Sequence, residues 1–174
     1  MDANKFTQKS LQAVQRAQNY AIEYGNPELT ALHLGLALMD RDGLNYRIVG
    51  RAGADADGLA GAFKDAVERL PRTSGGSQPY ATPAVNRILN EAEKLASGMK
   101  DEFISVEHLF LCLFDNDERG LKDIFARFGL TKNKFLEGMK QVRGNQNVTS
   151  DNPEETYEAL EKYGADAIRW YFYT

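Results

Sequence analysis

Histidine, cysteine and carboxylate side chains are the groups of this 174-residue chain that could carry out chemistry, and several lie in two similar stretches. The stretches read TALHLGLALM at residues 30–39 and SVEHLFLCLF at residues 105–114. Each contains one of the two histidines, His33 and His108, and the second also contains the single cysteine, Cys112. Imidazole and thiolate groups are common zinc ligands, so a metal site is the first chemistry to consider.

The pattern around these residues does not favour a metal site. His33 and His108 occupy the first turn of two matching predicted helices and have no set of cysteines beside them. We interpret both as local polar caps, with a metal pair as the alternative. Cys112 lies inside LFLCLF, where a thiol is expected to be a small, buried hydrophobic group rather than a nucleophile. A single cysteine also excludes an intramolecular disulfide.

The chain carries no motif for nucleotide binding or catalysis. GxxxxGK[ST] does not occur, and SGGS at residues 74–77 has neither a lysine nor a preceding predicted strand. No nucleophile, base and orienting group stand out together, so we predict no cofactor and no enzymatic activity. Two carboxylates, Asp101 and Glu107, flank the start of the second similar helix. Helix capping and compensation of the helix dipole explain them, and contact with a ligand is the alternative.

The overall composition narrows the possible partners. The formal net charge is −4 and the pI is about 5.3, so the positive field that nucleic acid or anionic lipid requires is missing. The chain is 43% hydrophobic and 26% charged, the balance of an ordinary globular protein. No stretch approaches the roughly 18 apolar residues of a membrane span, and no apolar run follows early basic residues. We expect a cytoplasmic protein that binds neither nucleic acid nor membranes.

The similarity of the two stretches extends over most of the chain. At an offset of 75 residues, His33 aligns with His108. After one added residue the offset becomes 76, and Gly53 aligns with Gly129. Further aligned pairs are Thr7 with Thr82, Ala17 with Ala92, Ala21 with Ala96, Leu34 with Leu109, Asp40 with Asp115, and Phe63 with Met139. The chain is therefore a tandem duplication of residues 1–70 and 80–144, joined by the linker PRTSGGSQPYA at residues 71–81.

Each repeat predicts four helices. The first begins after Thr7 or Thr82, and its apolar face is Leu11, Val14, Ala17 and Ala21, or Val85, Ile88, Leu89, Ala92, Leu95 and Ala96. The second helix is apolar nearly all round, so it must be central. A short third helix ends at Gly53 or Gly129. The fourth carries Leu59, Phe63, Val67 and Leu70, or Phe135, Leu136, Met139 and Val142.

These elements predict an all-α, pseudo-twofold bundle of about eight helices, followed by a C-terminal linker helix. One four-helix unit cannot cover a wholly apolar helix by itself. Two copies packed about an approximate twofold axis bury both central helices and leave a groove where the copies meet.

At the level of motifs the chain resembles the Clp repeat N-terminal domain of ClpB-type disaggregases. The resemblance covers about residues 1–164 and rests on KFTQKSLQAVQRAQNYA, HLGLAL, EHLFLCL, DEFISVEHL and GNQNVTSDNPEETYEALEKYG. It implies a Clp N-terminal domain at residues 1–145, with a linker and C-terminal helix at residues 146–174. Walker motifs are absent, so the resemblance places ATP hydrolysis in a longer parent protein.

The resemblance also implies a function. ClpB-type proteins are hexameric, ATP-dependent chaperones that extract polypeptides from aggregates with the DnaK system, and this domain helps to engage unfolded or aggregated substrates. Thr7, Asp101 and Glu107 match positions implicated in that engagement, and Leu95 matches part of an apolar groove. The segment alone is expected to be a monomer or weak dimer. The alternative function is a stand-alone interaction or adaptor module.

The last residues depart from this family. EKYGADAIRWYFYT resembles a piece of class I isoleucyl- or valyl-type tRNA synthetases, but neither a HIGH nor a KMSKS motif accompanies it, so synthetase activity is not predicted. After Pro153, one helical face would carry Tyr157, Leu160, Gly164, Ala167, Ile168 and Tyr171. We expect the terminal aromatic residues to pack on the bundle or on a second copy.

Overall fold

A computed structural model describes residues 2–75, residues 78–154 and Tyr157. After a short 3-10 helix at Ala3–Lys5, the first repeat contains α1 (Gln8–Glu23), α2 (Ala31–Leu38), α3 (Leu44–Arg51) and α4 (Ala56–Glu68). The second contains α5 (Pro83–Gly98), α6 (Val106–Leu113), α7 (Leu121–Arg127) and α8 (Lys132–Arg143). The all-α class and the two four-helix repeats are confirmed. A further helical stretch begins at Pro153, and the predicted packing of residues 160–174 lies outside the described residues.

The predicted starts of α1 and α5 are confirmed, and each is capped by a threonine side chain. The Thr7 hydroxyl accepts a hydrogen bond from the Ser10 amide, and that of Thr82 accepts one from the Val85 amide. Pro83 stands at the first position of α5, where its missing N–H leaves no hydrogen bond unmade. Both threonines therefore satisfy one of the unpaired amides at a helix N-terminus.

The two central helices are buried on nearly every side, as predicted. All eight residues of α6 are buried, and in α2 only Leu36 is partly exposed. Gly35 of α2 lies so close to the ring of Phe63 that a Cβ atom would come within 2.5 Å of it. The absence of a side chain at residue 35 thus lets α4 pack tightly against α2.

Two short parallel pairings show how the repeats interlock. Strand β1 (Glu28–Leu29) pairs with β2 (Tyr80–Ala81), and an isolated bridge joins Phe6 to Ile104. The offset of 75 residues relates the Leu29–Ala81 pair to the Ile104–Phe6 pair, so the pairings are pseudo-twofold mates. The end of the predicted linker is therefore a strand. Each pairing brings the first helix of one repeat beside the central helix of the other, and we call these two junctions the seams.

The face of α1 that enters the core differs from the predicted one. Leu11 and Val14 are only partly buried, whereas Ser10 and Ala13 are fully buried beside Ala17 and Ala21. Small side chains on this face let α1 approach α2 closely, which larger residues would prevent. Among the residues described, no helix is long and apolar enough to cross a membrane.

Candidate functional site

The turn between α5 and α6 brings the predicted carboxylates into the interior. Lys100 adopts a left-handed conformation with φ of 60° and so ends α5, as Gly25 does after α1 with φ of 66°. Asp101 follows, and Glu107 lies in the first turn of α6. Both side chains are buried, as is the Thr7 hydroxyl at the start of α1.

Both histidines close capping boxes. Nδ1 of His108 accepts a hydrogen bond from the Ser105 amide at 2.9 Å, and its Nε2 lies 2.7 Å from Oδ2 of Asp101. In the first repeat, Nδ1 of His33 accepts from the Thr30 amide at 2.9 Å, and its Nε2 lies 2.8 Å from an Asn26 oxygen. Because both ring nitrogens of each histidine are engaged, the predicted capping role is confirmed.

Arg143 of α8 joins the two predicted carboxylates. Its guanidinium donates to Oδ1 of Asp101 at 2.8 Å and to Oε1 of Glu107 at 3.2 Å, and all three side chains are buried. The repeat alignment places Asn26, Leu32 and Val67 at the equivalent positions of the first repeat. The second repeat therefore holds a buried charged cluster where the first repeat has neutral and apolar side chains.

Hydrogen bonding and charge attraction outweigh burial at Asp101 and Arg143. Burial by itself raises the pKa of Asp101, but hydrogen bonds from His108, Arg143 and the Val148 amide lower it to about 2. Burial also lowers the pKa of Arg143, but the negative charges of Glu107 and Asp101 outweigh this and raise it. Both groups are therefore charged at neutral pH, and each offsets the cost of burying the other's charge.

The segment after α8 lies across this cluster, and we call its described residues, 146–154 and Tyr157, the strap. The Val148 amide donates to Oδ1 of Asp101 at 2.8 Å, and the Val148 carbonyl accepts from the Glu102 amide at 2.7 Å. Farther along, the Asp151 carbonyl accepts from the Gln8 amide at 2.8 Å. The strap thus connects the α5–α6 turn of the second repeat with the start of α1 in the first.

Glu154 is a buried acidic residue of the strap, 2% exposed. Its Oε1 accepts a hydrogen bond of 2.8 Å from Oγ1 of Thr7, and its Oε2 has no hydrogen-bond partner among the described residues. Burial and the nearby charge of Glu107 raise the pKa of Glu154 to about 7. Beside it, the buried Tyr157 ring lies 5.7 Å from the Arg143 guanidinium carbon, a cation–π contact.

A second glutamate makes the same bridge at the other seam. Oε1 of Glu118, in the loop between α6 and α7, accepts from Oγ1 of Thr82 at 3.1 Å and from the Ala31 amide at 2.7 Å. Glu154 likewise faces the backbone of Val106 at the start of α6, so each seam has one glutamate at two neighbouring helix N-termini. Sequence reasoning missed Arg143 and both glutamates. Glu118 and Glu154 are not aligned by the repeat, so the duplication gave no signal for them.

Leu95 lies apart from the other three predicted site residues. It is part of a row that runs along α5 to the residue after its end, with Glu91 and Met99 four residues away on either side, and all three side chains are partly exposed. Leu95 and Met99 pack against the core. The hydrogen bonds that join Thr7, Asp101 and Glu107 to the strap and to Arg143 do not include this row. The predicted site thus divides into a buried cluster at one seam and a partly exposed apolar row.

Known proteins are similar to this chain in sequence and in fold. The family model described as the Clp repeat (R) N-terminal domain matches residues 5–128. The Chaperone protein ClpB of Nitratidesulfovibrio vulgaris is 40% identical over 174 residues, and that of Bacillus cereus is 38% identical over 173. Each alignment covers 97% of this chain but 20% of the ClpB protein, so the chain spans about a fifth of these relatives.

Two solved structures illustrate the shared fold. The Hsp104 N-terminal domain from Candida albicans has a TM-score of 0.78 at 20% identity, covering 86% of this chain and 99% of that one. A complex of the ClpV N-domain with a VipB peptide has a TM-score of 0.64 at 22% identity, covering 87% and 91%. Both have the duplicated bundle described above.

Proposed function

This chain belongs to the Clp repeat (R) N-terminal domain family, and we propose that it is the substrate-engaging domain of a ClpB-type disaggregase. It binds exposed hydrophobic segments of unfolded or aggregated polypeptides in the cytoplasm. The observation that carries this proposal is the match to ClpB proteins at 38% and 40% identity over 97% of the chain. The rest of the parent protein supplies ATP hydrolysis, hexamer formation and cooperation with a DnaK-type system.

The two apolar residues of the row, Leu95 and Met99, support the binding role. Both side chains are apolar, partly exposed and anchored on the core, and the methionine thioether adapts its shape to different partners. An unfolded segment that buries roughly 200–300 Å² there would gain about 5–8 kcal/mol at 25 cal/mol per Å², most of which the ordering of both partners offsets. Binding is therefore weak and tolerant of sequence, and a hexamer strengthens it through multivalency.

A titration tests the proposed function directly. A fluorescently labelled, permanently unfolded protein is titrated with the full chain, and its anisotropy is recorded. Leu95→Asp is expected to weaken binding about tenfold or more, because it places a charge in the apolar row. Tyr20→Asp is the matched control, since residue 20 is the repeat equivalent of residue 95 and is also partly exposed. Equal binding by the wild type and Leu95→Asp would refute a site on this row.

The second candidate is a stand-alone adaptor that recruits one particular peptide. The ClpV N-domain, which shares the fold, has been solved with a VipB peptide. An adaptor prefers one sequence strongly, whereas a disaggregase domain binds many unfolded chains with similar weak affinity. Competition among unrelated unfolded proteins for the labelled one therefore distinguishes the two functions.

A further inference from the structure

We propose that the strap is a latch: Thr7, Asp101 and Glu107 hold it at the seam, and they influence substrate engagement by fixing the position of the strap on the bundle. The effect on substrates rests on the proposed function, whereas the docking of the strap does not.

The burial of the three residues argues against direct contact with a substrate. Thr7 and Glu107 are 0% exposed and Asp101 is 7% exposed. Thr7 donates to Glu154, and Asp101 accepts from the Val148 amide. Glu107 holds Arg143 by an ion pair, and Arg143 in turn donates to the Gln146 carbonyl at 2.9 Å. Each of the three residues therefore acts on the strap, directly or through one further side chain.

The two seams differ in how their glutamates are attached. Glu118 lies between α6 and α7, and both helices are built into the core, so it cannot leave its seam without displacing a helix. Glu154 follows α8, the last helix of the second repeat, and the described residues join it to the bundle through the strap and not through a core helix. The strap can therefore detach while all eight helices of the bundle stay in place. The pseudo-twofold symmetry thus provides two glutamate bridges, of which the one made by Glu118 is fixed and the one made by Glu154 is releasable.

The charges around Glu154 give the latch a pH dependence. The groups that face it or share its cleft are Glu107 of α6, Arg143 of α8, Lys9 and Arg16 of α1, Asp40 after α2, Asp101, and Tyr157 of the strap. Docking raises the pKa of Glu154 from 4.5 to about 7, so the docked state favours the protonated acid. Its contribution to docking is complete below about pH 4.5 and is lost as the pH rises through about 7.

Amide hydrogen exchange on the full chain measures docking. The amides of Val148, Glu102 and Gln8 are protected only while the strap is in place, because each of their hydrogen bonds joins the strap to the bundle. After correction for intrinsic exchange, their protection should fall about tenfold or more between pH 5.5 and pH 8, while α6 amides keep theirs. In Glu154→Gln this fall should disappear, because the amide does not ionise. A Glu154→Gln profile with the wild-type slope would overturn the role of Glu154.

A pair of repeat-related variants separates the latch from helix capping. Thr7→Val and Thr82→Val each remove an N-cap hydroxyl and one hydrogen bond to a glutamate, but only Thr7 contacts the strap. We expect Thr7→Val to lower protection at Val148 about tenfold and Thr82→Val to leave it unchanged. Gln8→Ala, which removes only an exposed hydrogen bond to Asp151, should lower it a few-fold without unfolding the bundle. Loss of protection in Thr82→Val, or none in Thr7→Val and Gln8→Ala, would overturn the latch.

The link to substrates is tested separately. In the anisotropy titration, Thr7→Val and Glu154→Gln should alter binding non-additively, since both act through one strap. Additive effects would overturn the coupling to substrate while leaving strap docking intact. A chain that shows pH-dependent protection at Val148 but binds no unfolded protein would refute the proposed function and not the latch.

Discussion

Oγ1 of Thr7 donates a 2.8 Å hydrogen bond to Oε1 of Glu154, although 147 residues separate them in sequence. Thr82 makes the equivalent bond to Glu118 at 3.1 Å over 36 residues. The duplication has therefore preserved the bridge between two helix N-termini while taking the carboxylate from different parts of the chain. The bundle is thus symmetric in its helices but asymmetric in its buried charges.

Loss of Arg143 should strongly destabilise the domain. In Arg143→Val, Asp101 and Glu107 remain buried without their common cation, which typically costs about 3–5 kcal/mol. Urea denaturation at neutral pH gives the free energy of unfolding. A loss below about 1 kcal/mol would mean that the ion pairs are not a structural requirement.

The first repeat supplies the control for this variant. The triple variant Asp101→Asn, Glu107→Leu and Arg143→Val installs the equivalents Asn26, Leu32 and Val67. It removes the buried charges together, so its free energy of unfolding should lie within about 1.5 kcal/mol of the wild type. A triple variant less stable than Arg143→Val alone would contradict this explanation.

A methyl group at Gly35 should destabilise the central packing. In Gly35→Ala the new Cβ would lie 2.5 Å from the Phe63 ring, and such overpacking typically costs about 1–3 kcal/mol. Gly61→Ala is the control, because residue 61 is an exposed helical position of α4 with no atom within 4 Å. That change should stabilise by about 0.5–1 kcal/mol through helix propensity. Thermal unfolding of both variants measures the difference, and equal midpoints would be inconsistent with the observed packing.

His33 should remain neutral well below the usual pH for histidine. Burial lowers its pKa from 6.5 to about 4, and its Nδ1 must be unprotonated to accept the Thr30 amide bond. Because the folded pKa is depressed, this stabilisation is complete above about pH 6.5 and is lost as the pH falls toward 4, by up to about 3 kcal/mol. The NMR titration of its ring protons gives the pKa directly. A midpoint near 6.5 would contradict the buried cap, and His33→Gln should remove the stability change over this window.

Cys112 should be inert in the folded protein. It is buried in α6, and burial raises its pKa to about 12, so almost no thiolate exists at neutral pH. Reaction with a thiol reagent should therefore follow unfolding and speed up with added denaturant. Rapid modification of the native protein would show that α6 is not enclosed as described.

The sequence predicted what depends on local or repeated signals. The start of a helix is marked by the side chains of Thr7 and Thr82, and the end of one by the backbone freedom of Gly53 and Gly129. The duplication predicted the pseudo-twofold symmetry. Arg143 and Glu154 were missed because long-range pairing leaves no local pattern. One available signal was a difference between the repeats, because Arg143 of the second repeat is the equivalent of Val67 in the first.

The burial of Thr7, Asp101 and Glu107 was also not predictable from the sequence. A carboxylate near a helix start is usually exposed, and the strap, Arg143 and His108 together make the burial of Asp101 and Glu107 acceptable. Leu95 differs, because helical spacing placed it on the apolar face of α5, and the structure shows that it is partly exposed there. The assignment of all four residues to substrate engagement remains a prediction.

Amide chemical-shift mapping with an unfolded polypeptide tests the central claim, that the domain engages substrates on the α5 row, most directly. Increasing amounts of a permanently unfolded protein are added to the isotope-labelled full chain. We predict saturable shifts along α5 around Leu95 and Met99 that are absent in Leu95→Asp and retained in Tyr20→Asp. No saturable shifts in the wild type, or shifts around Tyr20 instead of Leu95, would contradict the proposed function.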